Sequence, residues 1–543
     1  MRKTVGLGED NFQTLIEENH FFIDKTLFIQ EFLNSDAKVA LVTRPRRFGK
    51  TLNMSMLASF LDITKNTKSL FEDKKIMQTA CANEINQYPV IFVSFKNAKG
   101  EKEDAIKLLK KALFDEYKRF DFIYEHLSNN TKEEYKLVWQ GLKNQNNMEL
   151  TDINDCLQLL CQFLYEYYGK KVILLIDEYD TPFIEAHNHG YYDEVHSGLA
   201  AILITSLKGN DYLKKAMLTG IQRIAKENIF SGLNNLSVYG VNHEKYAIYF
   251  GLLENEAKMF LEYFGLDFTK EVKDLYDGYR IGGIEIYNPW SISNYASEKK
   301  LDTYWKNSSN NVMVKKALGC CSTIFSMKYN ELIANGETIV NADLSTSYYE
   351  DIKDATLWAL LINSGYLTII KTIDRDTYKV KIPNEEVRED FKDITAHYLH
   401  IDNQILFGLE TAFKMKNFDE IRVYYQTYIM ETSSYHDFID ENSCHMLFLG
   451  LCAYLYNSYK INSNREAGLG RYDILLESKN ISFPNYILEF KYTKEKDKCL
   501  KTLAQEAIQQ IIDLNYATEL NGEVIYVGIG QRGKQAEIIF QIR

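Results

Sequence analysis

Proline is scarce in this sequence, and low-complexity segments are missing. The 543 residues include six prolines, all isolated, and no tract rich in proline, serine or glycine is visible. No internal repeat with a period of roughly 20 to 50 residues is visible either. At roughly 150 residues per domain the length corresponds to between three and four domains. The linkers between these domains must therefore be short or helical.

Cysteine is also scarce, and so are long apolar runs. The eight cysteines form no C-x-x-C pair, which is typical of reduced core thiols in a cytosolic protein and not of a disulfide framework or a zinc site. Glu9 and Asp10 lie where a signal peptide needs its apolar run, so no export signal is predicted. The most apolar stretch, 446–456, is about half of the roughly 20 residues that a membrane helix needs. We expect a cytoplasmic protein without a membrane partner.

The chain has no excess of positive charge. Its 63 lysines and arginines stand against 75 aspartates and glutamates, a net charge of -12. The apolar fraction of 45% and the charged fraction of 25% are ordinary for a soluble globular chain. Any binding of nucleic acid must therefore depend on a local site and not on the charge of the whole chain.

The order of apolar runs predicts an α/β domain followed by two others. KVALVT, YPVIFVSF, KKVILLID, KKAMLTG and LSVYGV are short and apolar, and amphipathic spans such as 152–168 separate them. This alternation favours a parallel sheet. The middle region is predicted to be mostly helical, α+β, with short strands that include WALLINSGYLTII and YKVKIP. The predicted boundaries are 1–243, 244–430 and 431–543.

The last region is predicted to be a compact α/β/α unit. Its expected elements are a helix over 446–459, strands at RYDILLE and NYILEFKY, a helix over 503–518 and a strand at EVIYVGIG. The two adjacent strand-like runs carry charged residues at alternate positions. Such positions share one face of a strand, which bears on the second site below.

The segment TRPRRFGKTLNMS follows an apolar strand and precedes a helix that begins near Gly49. A phosphate-binding loop needs this order, because the N–H groups that open the helix face the phosphate oxygens. Lys50 would reach the β and γ phosphates, and Thr51 would hold Mg²⁺. The glycine usual six positions before the lysine is Arg44 here, so the motif is incomplete, and a basic helix N-terminus is the competing interpretation. The residues predicted to bind ATP or GTP are Arg46, Arg47, Phe48, Gly49, Lys50 and Thr51.

A second signal is the strand KKVILLIDEYD, which ends in an acidic pair. Asp177 could hold Mg²⁺ through water, and Glu178 could orient or deprotonate the water that attacks the γ-phosphate. Asp180 is a weaker substitute for Glu178. A strand capped by solvated acids is the alternative for this segment taken alone. Its combination with the lysine loop about 125 residues earlier favours a nucleotide site.

The next predicted strand lies in KKAMLTGIQRIAKENIFSGLNN. Thr219 is the candidate for sensing the γ-phosphate. Arg223 could stabilise charge, in its own subunit or in a neighbour. A surface or interdomain salt bridge is the competing role for this arginine.

The run GLGRYDILLESKNISFPNYILEFKYTK suggests a second site. Asp473 and Glu489 could hold Mg²⁺, and Lys491 could position water or stabilise charge during phosphodiester cleavage. Glu441, opening the preceding helix, and Gln510, on the following one, could add contacts. A cross-strand salt bridge is the alternative for E-x-K on a strand. The lysines that cluster beside the site and suit a phosphate backbone are Lys491, Lys494, Lys496, Lys498 and Lys501.

Together these motifs resemble known families over nearly the whole chain. One set is similar to the bacterial AAA-ATPase-like family: RPRRFGKT, LLIDEYDTP, LTGIQRIAKENIFSGLNN, YDGYRIGG, YNPWS and YWKNSS. A second set resembles the PD-(D/E)XK nuclease-superfamily domain that usually ends such chains: IPNEEVR, GLGRYDILL, ILEFK and AIQQIIDLNY. Arg44 at the position of the loop glycine is what the first family tends to show.

The resemblance implies a P-loop ATPase domain, a helical middle domain and a nuclease-like domain, with ATP and Mg²⁺ as cofactors. DNA or RNA would be the partner of the last domain. The implied ATPase site consists of Lys50, Thr51, Asp177 and Glu178. The implied nuclease site consists of Asp473, Glu489, Lys491, Gln510 and Glu441.

Two hypotheses of function follow from the sequence. The leading one is an ATP-dependent nuclease, acting in defence against foreign nucleic acid or in the processing of mobile DNA. The alternative is a nucleotide-gated signalling or scaffold ATPase whose C-terminal domain binds nucleic acid or protein without cutting. The oligomeric state is open in both.

Overall fold

The structure is a computed structural model. It describes residues 2–144, 149–224, 236–305, 311–318, 322–348, 351–398, 402–432, 441–456, 458–463, 466–467, 470–517 and 520–543. Parts of three sequence motifs lie outside the described residues: 225–235 after Arg223, 306–309 of YWKNSS, and 468–469 of GLGRYDILL.

The region up to residue 298 alternates strands and helices. Its strands are β1 (Val39–Thr43), β2 (Val90–Ser94), β3 (Val172–Asp177), β4 (Leu213–Gly220), β5 (Leu236–Tyr239), β6 (Tyr279–Ile281) and β7 (Ile284–Ile286). Its helices are α1 (Phe12–Glu17), α2 (Leu27–Asn34), α3 (Lys50–Leu61), α4 (Lys68–Phe71), α5 (Lys102–Arg119), α6 (Asn129–Lys143), α7 (Cys156–Tyr168), α8 (Thr181–His189), α9 (Tyr192–Leu207), α10 (Glu254–Tyr263), α11 (Lys270–Tyr276) and α12 (Pro289–Glu298). Short 3-10 helices occupy Lys75–Gln78, Ala80–Glu84, Asp121–His126, Thr151–Ile153 and Ala247–Tyr249.

The region from residue 311 onward is mainly helical at first and then forms a sheet. Its helices are α13 (Asn311–Leu318), α14 (Thr323–Asn335), α15 (Asp354–Asn363), α16 (Glu385–Tyr398), α17 (Asn403–Met415), α18 (Phe418–Thr432), α19 (Glu441–Leu455) and α20 (Leu500–Asp513). Its strands are β8 (Glu337–Asn341), β9 (Thr368–Asp374), β10 (Thr377–Lys381), β11 (Tyr459–Ser463), β12 (Glu466–Ala467), β13 (Gly470–Arg471), β14 (Ile474–Ser478), β15 (Asn485–Tyr492), β16 (Val524–Arg532) and β17 (Gln535–Ile542).

The chain packs into two compact units. The first comprises 1–308, 341–378 and 383–386, and the second comprises 309–340, 379–382 and 387–543. The division of the sequence at residues 243 and 430 remains a prediction. No helix in the described part of the chain is both long enough and apolar enough to cross a membrane.

The first unit is built on a parallel sheet in the order β2-β3-β4-β1-β5. Side chains that alternate along each strand enter two different cores, as the period of two requires. On β3, Leu174 and Ile176 pack in the core that includes α5, α7 and α9, while Ile173 and Leu175 pack in the core that includes α2 and α3. The predicted parallel α/β sheet is confirmed.

This topology places the residues predicted for the nucleotide site at one edge of the sheet. Because the strands are parallel, their carboxyl ends meet at the same edge of the sheet. Ser94 lies opposite Asp177 in the register, and Thr43 lies opposite Gly220. The loops that follow these residues therefore surround a single location.

The second unit contains a mixed sheet in the order β11-β14-β15-β16-β17, in which only β15 and β16 run parallel. Helix α20 packs tightly on it. A Cβ atom on Gly528 would lie 2.1 Å from the Ala504 carbonyl oxygen, and one on Gly530 would lie 2.2 Å from that of Leu500. Glycine at both positions of β16 is what lets the helix approach the strand.

Four predicted elements differ from the structure. WALLIN, predicted as strand, belongs to helix α15; it is buried on every side, and an apolar run of that kind has no period that separates a strand from a helix. The helix predicted over 446–459 spans Glu441–Leu455, and Tyr459 opens a strand. The helix predicted over 503–518 spans Leu500–Asp513. RYDILLE is split, because β13 pairs with β12 whereas β14 pairs with β11 and β15.

Candidate functional site

The loop between β1 and α3 has the backbone conformation of an anion-binding turn. Arg47 and Gly49 have positive φ angles of 67° and 78°, and Gly49 caps the helix that Lys50 opens. The Lys50 ammonium is buried and donates to the carbonyl oxygens of Arg44 and Pro45, each at 3.1 Å. The loop therefore wraps around its own lysine at the start of a helix, where N–H groups remain available for an anion.

Arg44 has a structural role that explains why no glycine is needed there. Its guanidinium is fully buried and donates to the carbonyl oxygens of Thr43 and Tyr239 at 2.8 Å and of Gly240 at 3.0 Å. These contacts tie the end of β1 to the end of β5. The side chain therefore turns into the protein and leaves the loop itself clear.

The Asp177 carboxylate accepts hydrogen bonds from hydroxyl groups on three other elements. Its Oδ1 accepts from Thr219 at 2.6 Å, and its Oδ2 accepts from Thr51 at 2.8 Å and from Ser94 at 3.3 Å. Burial, followed by the charge of Glu178, raises the pKa of Asp177, and the hydroxyl groups oppose this shift. Thr51 and Asp177 together present a hydroxyl and a carboxylate oxygen, the hard donors that Mg²⁺ prefers.

Glu178 stands next to the loop lysine. Its backbone is left-handed, with φ 53°, so the chain turns sharply where β3 ends. Its Oε1 lies 3.9 Å from Lys50 Nζ, and its Oε2 accepts from the Thr181 hydroxyl at 2.9 Å. Burial opposes ionisation, but Lys50, Thr181, Arg46 and Lys99 outweigh it and lower the pKa of Glu178. The carboxylate is held ionised, as a general base must be.

A cavity of about 360 Å³ opens beside this loop. Its lining includes Gly49, Lys50, Thr51 and Glu178, together with the segment 6–10. The rest of the wall is largely apolar and aromatic, and it includes Phe21, Phe22, Tyr249, Phe260, Pro289 and Trp290. A lining that combines residues at a helix start with apolar and aromatic side chains fits a ligand that carries both phosphates and an aromatic base.

Two predicted nucleotide-binding side chains, those of Arg47 and Phe48, are engaged elsewhere. Arg47 lies over the Trp290 ring, 4.4 Å from its centroid, and donates to the Tyr304 carbonyl oxygen at 2.9 Å. Phe48 is buried against the Tyr279 ring. Within the described residues, the Nε of Arg223 is buried without a hydrogen-bond partner. The structure thus gathers Lys50, Thr51, Asp177, Glu178 and Thr219, with Arg46 close enough to act on the Glu178 charge.

The second unit brings together the acidic residues predicted there. Asp473 lies just before β14, and its Oδ2 accepts the Phe490 N–H of β15 at 2.9 Å. The Asp473 N–H in turn donates to Glu489 Oε2 at 3.4 Å. Each carboxylate therefore accepts a backbone N–H group from the other acidic residue or from the residue after it. The two acidic residues are thus neighbours, although Asp473 lies outside the strand in which it was expected.

Lys491, Glu441 and Gln510 surround this acidic pair. The Lys491 ammonium donates to Glu441 Oε1 at 3.0 Å and lies 3.9 Å from Glu489 Oε1. Gln510 of α20 donates to Glu489 Oε1. All five predicted residues are thus in one cluster, with Glu441 as the first residue of α19.

The charge balance of this cluster fits a divalent cation. Burial and then the charge of Asp473 raise the pKa of Glu489 to about 8, and burial also raises the pKa of Asp473. Among the described residues no three His, Cys, Asp or Glu side chains are grouped to hold a metal. A buried carboxylate, Glu489, beside a half-buried one, Asp473, suits Mg²⁺, because this ion commonly binds one or two carboxylates and keeps water and substrate oxygens as its other ligands.

Each of the two clusters lies within residues that one family model matches. Residues 6–230 match the family described as predicted AAA-ATPase, and residues 439–541 match the PD-(D/E)XK nuclease superfamily. The chain joins an AAA-ATPase-like domain to a PD-(D/E)XK nuclease-superfamily domain. The two family resemblances seen in the sequence are confirmed.

The chain is also similar to a protein of Azotobacter chroococcum mcd 1. The chain is 25% identical over 394 residues to an uncharacterized protein in the vnfD 5' region of Azotobacter chroococcum mcd 1. The match covers 71% of this chain and 69% of that protein. The name of this relative states no activity, so the chemistry must be inferred from the residues of the two domains.

The sequence alone missed two polar residues of the AAA-ATPase-like unit. Ser94 ends β2 and donates to Asp177, and the rule that singled out the ends of β3 and β4 could have found it. Glu386 could not have been found in that way. It is 1% exposed and accepts from the Ser291 hydroxyl at 2.7 Å and from the N–H groups of Tyr304 at 2.5 Å and Trp305 at 2.7 Å.

Glu386 should make the stability of the first unit depend on pH. Burial raises its pKa to about 7, although its hydrogen bonds and Arg47 oppose the shift. Between pH 4.5 and 7 the folded state holds a proton that the unfolded state releases, so the free energy of unfolding falls as pH rises through this window. Glu386→Gln removes this dependence. From pH 6 to 8, wild type should lose about 1 kcal/mol relative to Glu386→Gln in thermal unfolding.

The exposed Glu133, paired with Lys136 on α6, supplies the control for this measurement. Glu133→Gln should keep the pH slope of the wild type. Parallel slopes for wild type and Glu386→Gln would contradict the assignment.

Proposed function

We propose that this protein hydrolyses ATP in its first unit and cleaves nucleic-acid phosphodiester bonds with a divalent metal in its second. The observation that carries the proposal is common to both clusters. A lysine ammonium stands 3.9 Å from one carboxylate of each acidic pair, Lys50 from Glu178 and Lys491 from Glu489. In each case the second acid, Asp177 or Asp473, lies alongside and is available to a cation.

In the ATPase site, each residue has a separate task. Lys50 and the N–H groups at the start of α3 bind phosphate oxygens. Thr51 and Asp177 would hold Mg²⁺, which when bound offsets negative charge on the β and γ phosphates. Glu178 orients the attacking water and accepts its proton, and Thr219 fixes the Asp177 carboxylate from the neighbouring strand. The apolar part of the cavity would take the base of the nucleotide.

In the nuclease site, Asp473 and Glu489 would hold Mg²⁺ or Mn²⁺, which when bound polarises a phosphate oxygen and a water. Lys491 neutralises charge on the phosphate and positions the water. Glu441 orients Lys491 through their 3.0 Å contact, and Gln510 orients Glu489. Exposed lysines at 494, 496 and 498 follow the site directly and suit a phosphate backbone.

Changes at Lys50 and Glu178 should separate binding from hydrolysis. Lys50→Ala removes a charge that faces the phosphates, so ATP affinity should fall about 10- to 100-fold. Glu178→Gln keeps the shape but removes the base, so affinity should persist while hydrolysis falls roughly 100-fold or more. Titration with a fluorescent ATP analogue and a phosphate-release assay measure the two effects.

Lys102 begins α5 and pairs with Glu194 outside this cluster, so Lys102→Ala is the matched charge control. It should behave as wild type in both assays. If Lys50→Ala binds the analogue as tightly as wild type does, the nucleotide site has been assigned wrongly.

Changes at Asp473 and Lys491 should separate metal binding from cleavage. Asp473→Ala removes a metal ligand, so the calorimetric Mg²⁺ or Mn²⁺ binding that belongs to this site and the cleavage should be lost, while ATP hydrolysis persists. Lys491→Ala should still bind the metal but cut roughly 100-fold more slowly, because it removes only stabilisation of charge. Metal titrations and nuclease assays on single- and double-stranded DNA and RNA provide the test.

Glu477→Gln is the control for this series, because Glu477 lies on the neighbouring strand β14 and pairs with Lys460 at the surface. A salt-bridge role for Lys491 predicts a modest loss of stability and no metal dependence. If the wild type binds nucleotide but neither binds divalent metal nor cuts any nucleic acid, the alternative of a nucleotide-gated scaffold or signalling ATPase replaces the nuclease.

We also propose that nucleotide state controls the nuclease site. The support is the order of segments along the sequence, in which 341–378 and 383–386 of the first unit alternate with 379–382 and 387–543 of the second. Coupling requires that ATP bind two conformations with different affinity. Cleavage should therefore differ by at least a fewfold among protein without nucleotide, with ADP and with a non-hydrolysable ATP analogue. Equal rates in the three states, with Lys50→Ala as the nucleotide-free reference, would show that the sites are independent.

A further inference from the structure

Two residues directly after the acidic pair contact a segment that leaves the sheet. Tyr179 and Asp180 lie between Glu178 and helix α8, and both are fully buried. The Tyr179 N–H donates to the Thr219 carbonyl oxygen at 3.0 Å, at the end of β4. The turn after β3 and the end of β4 are thus joined before either chain leaves the sheet.

Beyond the end of β4, backbone groups no longer have a neighbouring strand as hydrogen-bond partner. The side chains of Tyr179 and Asp180 form those hydrogen bonds instead. Asp180 Oδ2 accepts the N–H groups of Ile221 at 2.7 Å and Gln222 at 2.9 Å. The Tyr179 hydroxyl donates to the Gln222 carbonyl oxygen at 2.7 Å and accepts the Ile224 N–H at 3.0 Å. A buried backbone group without a partner is costly, so these bonds define the path of the segment.

Gly220 allows the close approach that these bonds need. A Cβ atom there would lie 2.6 Å from Asp180 Oδ1 and 2.8 Å from Tyr179 Cε1. Any side chain at this position would push Tyr179 and Asp180 away from the end of β4. The motif T-G-I-Q-R therefore needs its glycine for packing against the turn that carries Glu178.

These hydrogen bonds determine the position of Arg223. It lies between Gln222 and Ile224, both held by Tyr179, and four residues after Thr219, which contacts Asp177. In the part of the chain that the structure describes, the Nε of its guanidinium is buried and has no hydrogen-bond partner. A partly buried cation in this condition suits an anion supplied by a ligand.

We propose that Tyr179 and Asp180 are positioning residues for ATP hydrolysis, which fix Arg223 of the same chain for the γ-phosphate. The inference rests on the proposed ATPase function and extends it in two ways. It gives the two residues after the acidic pair a task, and it assigns the arginine to its own subunit instead of a neighbour. The hydrogen bonds act on the backbone on either side of Arg223, so the effect of Tyr179 must pass through the arginine.

A double-mutant cycle tests this dependence. Tyr179→Phe removes the hydroxyl that makes two of the bonds, so kcat should fall about tenfold with nucleotide affinity unchanged. Arg223→Ala should lower kcat roughly 100-fold. If Tyr179 acts through Arg223, the double variant should be no slower than Arg223→Ala alone. Multiplied effects of the two changes, or an equal loss of nucleotide affinity in Tyr179→Phe, would overturn the proposal.

Tyr117→Phe is the matched control. Tyr117 is also fully buried, and its hydroxyl donates to the Cys156 carbonyl oxygen at 2.7 Å, outside the site. It should lower thermal stability to the same extent as Tyr179→Phe and leave kcat unchanged. A kcat loss in Tyr117→Phe equal to that in Tyr179→Phe would mean that general destabilisation, and not positioning, explains the result.

Variants of Asp180 give an independent measurement. Asp180→Asn keeps an oxygen that can accept the two N–H groups, so it should retain most of the activity, whereas Asp180→Ala should lose it. Equal activities of the two variants would contradict the positioning role. If wild type hydrolyses no ATP, the proposed function fails and this inference fails with it; if wild type is active but the cycle is multiplicative, only this inference fails.

Discussion

The buried carboxylate of Asp177 is the constraint on which the ATPase-like unit depends. An ionised group in the core is tolerated only when it is hydrogen-bonded, and here every bond comes from a different element. Thr51 arrives from α3, Ser94 from β2 and Thr219 from β4. The hydrogen bonds to this one carboxylate thus hold α3 and the two strands β2 and β4 around the same point. The sheet order that makes these strands adjacent is therefore part of the site.

The nuclease-like unit also holds acidic side chains away from water, but different contacts stabilise them. Asp473 and Glu489 accept hydrogen bonds from backbone N–H groups and from one side-chain amide. No hydroxyl group is among their contacts in the described chain. Lys491 divides its charge between Glu489 and Glu441. The pair accordingly keeps a raised pKa at both carboxyls, whereas Glu178 has a lowered one. Part of the cost of burying two acids together remains, and a cation can relieve it.

The residues at strand ends could be predicted from sequence, because an apolar run marks a buried strand and parallel strands end at one edge. Asp177, Glu178 and Thr219 were identified in this way, Lys50 and Thr51 were identified from the loop motif between a strand and a helix, and the structure groups all five. Contacts that depend on tertiary packing could not be predicted. Glu386 meets Tyr304 across 82 positions of sequence, and nothing in IPNEEVR signals its burial. WALLIN had no readable period, because all its faces are buried.

Arg47 shows how such packing reaches the loop. A non-glycine residue with positive φ costs about 1 kcal/mol or more, so its conformation has to be stabilised by contacts elsewhere. The Trp290 ring and the Tyr304 carbonyl oxygen supply those contacts, and Glu386 accepts the Tyr304 N–H. A ligand that shifts Arg47 must therefore also disturb Trp290 and Tyr304. The loop conformation is for this reason a property of the segment from 290 to 304 as much as of the motif RPRRFGKT.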